Sequence, residues 1–155
     1  MSDDTVYVRN ATDQDTKDLW TWSNDFVTRR NSISKDEISW QSHTDWFEKS
    51  QQNENRVILI AVDRQSAEKI GMVRFDTDGD GGAVVSINLN PSWRARGMSS
   101  RLLNLAIEAF SQENQCVLTA NIKPDNLPSL KCFQRCGFSM HEETQDLLVL
   151  KKQKN

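Results

Sequence analysis

No stretch of this sequence stays apolar for anything near the ~20 residues that a membrane-spanning helix needs, and none has the build of a signal peptide. Basic excess is missing as well. A net charge of -3 and a pI near 5.4 exclude the broad positive footprint of a general nucleic-acid binder. Cysteine is scarce: three residues, an odd number without paired C-x-x-C spacing, exclude a disulfide framework and suit a reducing cytoplasm. No metal site is expected. Cys132 and Cys136 share a helix face, but Cys116 is the only other thiol and neither histidine is placed to complete a zinc set. Asp76-Thr77-Asp78-Gly79-Asp80-Gly81 matches the first half of a calcium loop, yet its twelfth position is Ile87 and strands flank it, so it reads as a polar turn. Internal repeats, linkers and low-complexity segments are absent too. With 37% hydrophobic residues in 155, the sequence predicts a single domain over residues 1–155 with a thin core, a generous polar surface and a solvated tail over 151–155, disordered near 152–155.

Periodicity alternates between helix and strand along the chain. Residues 7–10 read as a strand and 13–22 as a helix with Leu19 and Trp22 on one side. A polar link covers 23–34. The next helix starts at Lys35 or Trp40 and runs to Ser50, with the capping box Ser34-Lys35-Asp36-Glu37 and the shorter cap Ser39 as alternatives. Residues 56–62 and 69–76 form a hairpin, and 83–89 a further strand. The helix over 98–111 carries an apolar stripe wide enough to lie on a sheet. Residues 115–122 are the next strand, parallel to 83–89 if the helix between them crosses over right-handedly. A short helix over 126–136 and a hairpin (138–142 and 145–151) complete the order.

The densest chemistry lies where the strand ending at Leu89 turns into that helix, through Asn90-Pro91-Ser92-Trp93-Arg94-Ala95-Arg96-Gly97-Met98-Ser99-Ser100. Free N–H groups, a helix dipole and two arginines meet there, which is what a pyrophosphate needs. Gly97 lets the backbone approach phosphate oxygens with no Cβ in the way. Arg94-x-x-Gly97-x-Ser99 resembles the Arg/Gln-x-x-Gly-x-Gly/Ala loop of the GNAT superfamily of acyl-CoA-dependent N-acetyltransferases, with Ser99 in place of the usual last Gly or Ala. Roughly thirty residues later, Asn126-Leu127-Pro128-Ser129 through Phe133 to Gly137-Phe138 resembles a second GNAT segment, Asn-x-x-Ala/Ser-x-x-x-Tyr/Phe-x-x-x-Gly-Phe. Physically it is a helix with Pro in its first turn, stopped by a left-handed Gly137 cap. Val8-Arg9-x-Ala11-Thr12-x-x-Asp15 is similar to the first strand and helix entry of that superfamily.

The resemblance implies the α/β (α+β type) GNAT fold: a mixed twisted sheet of about seven strands flanked by about four helices, with two central parallel strands splayed apart. It implies acetyl-CoA as cosubstrate, pantetheine bound by the backbone near Asn88 and Leu89, and pyrophosphate held by Arg94, Arg96, Gly97, Met98, Ser99 and Ser100. Asn126 and Phe133 are expected to flank the cofactor. Phe133 stands where many members carry a proton-donating Tyr, so Ser129, water or the new ammonium is left to protonate the thiolate, whose pKa near ~8.5 lets it depart.

His43 neighbours Trp40, Trp46 and Phe47 at helical spacing and has two readings, a general base or a member of an aromatic cluster. Asp25 and Glu37 each read as a solvated carboxylate or a cap, and are further candidates for the base. Trp20, Trp22, Trp40 and Trp46 fall in the two helices that wall the acceptor site of this fold. The run from Leu19 to Ser32 resembles acetyltransferases of bacterial amino-sugar pathways, which implies a nucleotide-linked amino-sugar acceptor. Trp22 would stack on a ring, Asn24 and Ser32 would bind hydroxyls, and Arg29 or Arg30 would pair with a diphosphate. A protein N-terminus, another small amine, or acyl-CoA binding without turnover are the alternatives. The partners expected are a small-molecule amine, no nucleic acid and no membrane, for a monomer or homodimer in the cytoplasm.

Overall fold

The computed structural model describes residues 5–32 and 36–153. β1 (Val6–Asn10) leads through a 3-10 turn (Asp13–Asp15) into α1 (Thr16–Ser23), α2 (Phe26–Arg30) and α3 (Trp40–Gln52). β2 (Arg56–Asp63), β3 (Lys69–Thr77) and β4 (Gly82–Leu89) form an antiparallel meander. α4 (Ser99–Ser111) crosses to β5 (Val117–Ile122), and α5 (Leu127–Arg135) precedes the hairpin of β6 (Ser139–Glu143) and β7 (Leu148–Lys152). The strands make one sheet in the order β1-β2-β3-β4-β5-β7-β6, in which only β4 and β5 run parallel. No helix among the described residues is long and apolar enough to cross a membrane.

β2 and β3 are buried on both faces, and their alternation feeds two cores. Leu59, Ala61, Val73 and Phe75 pack under α4, where the Phe75 and Phe110 rings stack at 4.1 Å. Ile58, Ile60, Val62 and Met72 take Leu19, Trp22 and Phe47 from α1 and α3. Asp15, fully buried, ties this second layer to the sheet. It accepts hydrogen bonds from the Arg9 guanidinium at 2.8 and 3.0 Å and from the Thr12 N–H at 2.8 Å, and lies 2.7 Å from the Lys69 Nζ. Burial pushes this carboxyl up, but the hydrogen bonds from Arg9, Lys69 and Thr12 together outweigh it and hold it well below the ordinary carboxylate range.

β4 and β5 pair only from Gly82–Val84 to Val117–Thr119 and then separate. This is the expected splay. α5 ends as its sequence predicts: Gly137 has φ 92, and the N–H groups of Gly137 and Phe138 return to the Gln134 and Phe133 carbonyls. The Phe133 and Phe138 rings meet edge-on at 5.0 Å across the cap.

Two expectations need correction, and one pair of alternatives is resolved. The polar link over 23–34 contains α2, whose N-cap is Asp25: its carboxylate accepts from the Val27 and Thr28 N–H groups. α3 takes the shorter form, capped by Ser39 through the Ser42 N–H; Ser34 and Lys35 lie outside the described residues. The tail is shorter than 151–155, because Lys151 and Lys152 pair in β7 and the Lys152 ammonium donates to the Cys136 carbonyl at 2.8 Å. The calcium-like turn is closed on itself, with the Asp78 Oδ1 accepting from the Asp80 and Gly82 N–H groups.

Candidate active site

Where β4 leaves β5, its main chain is unpaired on one side. The Gly81 carbonyl accepts from the Val117 N–H on the β5 side, whereas the Asn90 N–H donates to Ile70 on the β3 side. Main-chain groups alternate sides along a strand, so Val85, Ile87 and Leu89 turn theirs toward the gap. Asn88 turns its main chain to its β3 partner Met72 and reaches the gap through its side chain, whose Oδ1 accepts from the Thr28 hydroxyl. The expectation of backbone contact near Asn88 and Leu89 therefore narrows to Ile87 and Leu89.

The loop after β4 is held open by two left-handed residues, Ala95 (φ 61) and Gly97 (φ 69). A Cβ on Gly97 would meet nothing within 4 Å. Met98 occupies the N-cap of α4 and supplies no side-chain cap. The first-turn N–H groups at Ser99 and Ser100 thus lack intrahelical partners and, with the helix dipole, suit an anion. Leu89, Arg94, Ala95, Ser99, Asn126 and Ser129 line a cleft of about 520 Å³ along this edge. The two loop arginines differ. Arg94 lines the cleft but is paired with Asp25 at 2.5 Å and donates to the Thr28 hydroxyl at 3.2 Å, strapping the loop to α2. Arg96 lies exposed over the Trp93 ring at 4.6 Å. Burial pushes the Asp25 carboxyl up, but Arg94 and the α2 N–H groups outweigh it and hold it below its ordinary range, so Asp25 is a cap and an ion-pair partner and not a base.

A second cleft of about 580 Å³ joins the first through Thr28, Ser32, Asn88, Asn126 and Ser129. Met72 and Arg74 of β3, Ser86 and Asn88 of β4 and Asn121 of β5 contribute to it, and Ser42, His43 and Trp46 of α3 face them. His43 is 3% exposed, and its Nε2 lies 2.9 Å from the Thr16 carbonyl. A carbonyl only accepts, so Nε2 carries the proton and Nδ1 keeps the lone pair. Burial pushes the imidazole pKa below its ordinary value, against the Thr16 hydrogen bond, which favours the charged ring. Its ring lies against Trp40, Trp46 and Phe47 as the helical spacing predicts. The aromatic-cluster reading of His43 stands, and the same ring borders the second cleft.

The other predicted residues divide between the clefts and other parts of the fold. Trp22 is 4% exposed and belongs to the core, because the side of α1 that it shares with Leu19 packs with Phe47 and the β2 residues Ile58, Ile60 and Val62. Asn24 is committed to the Ile38 main chain, donating to the carbonyl and accepting from the N–H at 2.7 Å each; Trp20 donates to the same carbonyl. Arg30 is exposed over Phe26 and does not line either cleft. Arg29 does line the cleft, but braces it by donating to the Ser23 and Asp36 carbonyls and the Ser32 hydroxyl. Ser32 borders both clefts, with its hydroxyl donating to the Thr28 carbonyl. Phe133 lines the acceptor side while packing on Phe138. Cys132 and Cys136 are buried as small core residues. Arg74, Asn121 and Lys123 line the second cleft, and sequence reasoning assigns none of them a role; a lone arginine inside the apolar strand 69–76 is the available signal for the first.

Comparison with known proteins bears out the fold and gives the family. The family model of the Acetyltransferase (GNAT) domain matches residues 5–139. An uncharacterized N-acetyltransferase of Bacillus subtilis (strain 168), YfmK, is 22% identical over 102 residues, 66% of this chain and 67% of that one. Spermidine N-acetyltransferase from Vibrio cholerae, solved with CoA and spermine, is similar in structure with a TM-score of 0.88 at 14% identity, over 98% of this chain and 97% of that one. The Campylobacter jejuni N-acetyltransferase PseH gives a TM-score of 0.74 at 15% identity, over 97% and 99% of the two chains. Likeness at these identities speaks for the fold, and the family match speaks for the chemistry. The chain belongs to the GNAT acetyltransferase family and is an acyltransferase that takes its acetyl group from acetyl-CoA.

Proposed function

We propose that the chain is an N-acetyltransferase whose acceptor is the primary amine of a nucleotide-linked amino-sugar. The observation that carries this is the meeting of two clefts at Asn88, Asn126 and Ser129, one bordered by an unpaired strand edge and an uncapped helix, the other by aromatic, amide and hydroxyl side chains. Acetyl-CoA supplies an acyl group already activated as a thioester. Ile87 and Leu89 pair with the pantetheine as a strand would, and a main-chain N–H of this edge polarises the thioester carbonyl. The loop around Gly97 and the first turn of α4 hold the pyrophosphate. On the acceptor side, Asn88, Asn121, Ser32 and Ser86 bind hydroxyls, and Trp46, covered by the Arg56 and Arg74 guanidiniums, walls the cleft. His43, neutral because it is buried, accepts at Nδ1 the proton that the acceptor's ammonium must lose before its nitrogen can attack. The proton left on that nitrogen after attack leaves with the departing thiolate. The Ser129 hydroxyl, at the junction of the clefts, hydrogen-bonds the departing sulfur, a task Phe133 cannot perform. We take the chain as one catalytic domain of a cytoplasmic monomer or homodimer, a compartment that fits its three free thiols.

Release of CoA from acetyl-CoA in the presence of UDP-linked 4-amino-sugars tests the acceptor; turnover restricted to unrelated amines overturns it. His43→Gln tests the base. We expect kcat to fall about 100-fold, within the range of general base catalysis, with the KM for acetyl-CoA within twofold. The acidic limb of the pH–rate profile should disappear; a limb that survives makes His43 purely structural. The same residue sets a stability window. Its folded pKa lies below its unfolded value, so the unfolded chain binds the extra proton first, and stability falls as pH drops below ~6.5.

A further inference from the structure

We infer that Arg74 is the specificity determinant of the acceptor cleft and binds an oxyanion, phosphate or carboxylate, carried on the acceptor several bonds away from the reacting amine. This rests on the acetyl-transfer reading above and adds the charge and length of the substrate. The described residues that line the acceptor cleft include Arg29, Arg74 and Lys123 and no carboxylate. Two of these cations already serve the main chain: Arg29 donates to the Ser23 and Asp36 carbonyls, and the Lys123 ammonium donates to the Arg30 carbonyl at 3.0 Å.

Arg74 is arranged differently. Its Nε donates to Asp76 Oδ2 at 3.0 Å, and Arg56 Nε holds the other oxygen of that carboxylate at 2.5 Å. One carboxylate thus faces two guanidiniums, and the group keeps an excess positive charge. Both guanidiniums lie against Trp46, at 5.5 and 5.6 Å from its ring centroid, which fixes their planes. Because Asp76 engages Arg74 through Nε, the two terminal nitrogens of Arg74, the pair that grips an oxyanion in a fork, have no hydrogen-bond partner among the described residues.

Register gives the length. Arg74 pairs with Ser86, and Asn88, where the two clefts meet, lies two residues further along β4, about 7 Å away at the rise of a strand. An amine reacting near Asn88 and an anion at Arg74 are therefore at least a sugar ring apart, since Arg74 is on the neighbouring strand and leans on Asp76, away from Asn88. An α-amino acid, whose charges are adjacent, is too short, and a polyamine brings positive charge to a cationic floor.

A matched set of acceptors tests this: glucosamine, glucosamine 6-phosphate, D-glucosaminate, alanine and spermidine, each with acetyl-CoA. The wild type should favour glucosamine 6-phosphate or D-glucosaminate over glucosamine at least tenfold in kcat/KM, mainly through KM. The better of the two identifies the oxyanion. Arg74→Gln should reduce that preference to within twofold, and Arg74→Lys should retain part of it. A preference for spermidine or alanine, or an anion preference that survives Arg74→Gln, overturns the assignment. UDP binding measured by calorimetry separates this inference from the transfer reading. If no amine turns over, the transfer reading fails, while UDP bound by the wild type and at least tenfold more weakly by Arg74→Gln still supports the anion site. Equal UDP affinity in the two proteins removes it. Arg74→Lys, which keeps the charge against Asp76 and Trp46, provides the folded comparison if Arg74→Gln is unstable.

Discussion

Replacing Gly97 by glutamate should leave the protein folded and weaken acetyl-CoA binding at least 100-fold, about 2.7 kcal/mol. Gly97 has φ 69, so any side chain there costs about 1–2 kcal/mol in the left-handed region. That cost falls on an exposed loop, and a Cβ would touch nothing within 4 Å, so the core does not feel it. The larger effect is charge. A carboxylate beside a bound diphosphate at ~4 Å repels it by about 4 kcal/mol at an effective dielectric near 20. Gly97→Ala isolates the backbone contribution and should lose no more than tenfold. Titration calorimetry of the three proteins decides the matter: equal affinity in Gly97→Glu would take this loop out of the cofactor site.

Asp15→Asn should be the most damaging single change to stability, about 3 kcal/mol, the scale for breaking a buried pair from one side. The substitution leaves Arg9 and Lys69 turned toward a neutral amide in a fully buried position. For a domain of this size that is a fall in Tm of roughly 6–12 °C. The pH dependence has a definite sign. The Asp15 carboxyl is held below its unfolded value, so its contribution is present above ~pH 4 and is lost as pH falls through the folded pKa. Thermal melts between pH 7 and 3 should therefore show a steeper acid slope in the wild type than in Asp15→Asn, the remainder coming from other lowered carboxylates such as Asp25. Near pH 6 the slope belongs to His43, and the two groups can be told apart by their windows.

Local signals are legible in the residues themselves. The Pro-then-basic turn after a strand, the helix stripe over 98–111 and the Gly137 stop each depend on neighbours within a few residues, and each stands where the sequence puts it. Residues whose fate depends on distant partners are not legible in the same way. Helical spacing puts Trp22 on a face but does not say that Phe47 will meet it. Asn24 looks like a free amide until Ile38, fourteen residues away, folds back on it. Asp25 reads as a cap or solvated carboxylate before a base, but its ion pair with Arg94, sixty-nine residues away, is not visible in the sequence. α2 has five residues, too few to show a period, so only its Asp25 cap marks it.

On the proposed reading, pantetheine pairs with the edge that β4 leaves open where it parts from β5. Acetyl-CoA then acts as a folding ligand as well as a reactant: at 100 times its Kd it adds about 2.7 kcal/mol to the folded state. A protein of ordinary marginal stability whose unfolded fraction is cleared by proteases will persist when acetyl-CoA is plentiful and decline when it is short. The quantity of enzyme in a cell would thereby follow the supply of the acetyl groups it spends, with no separate regulator.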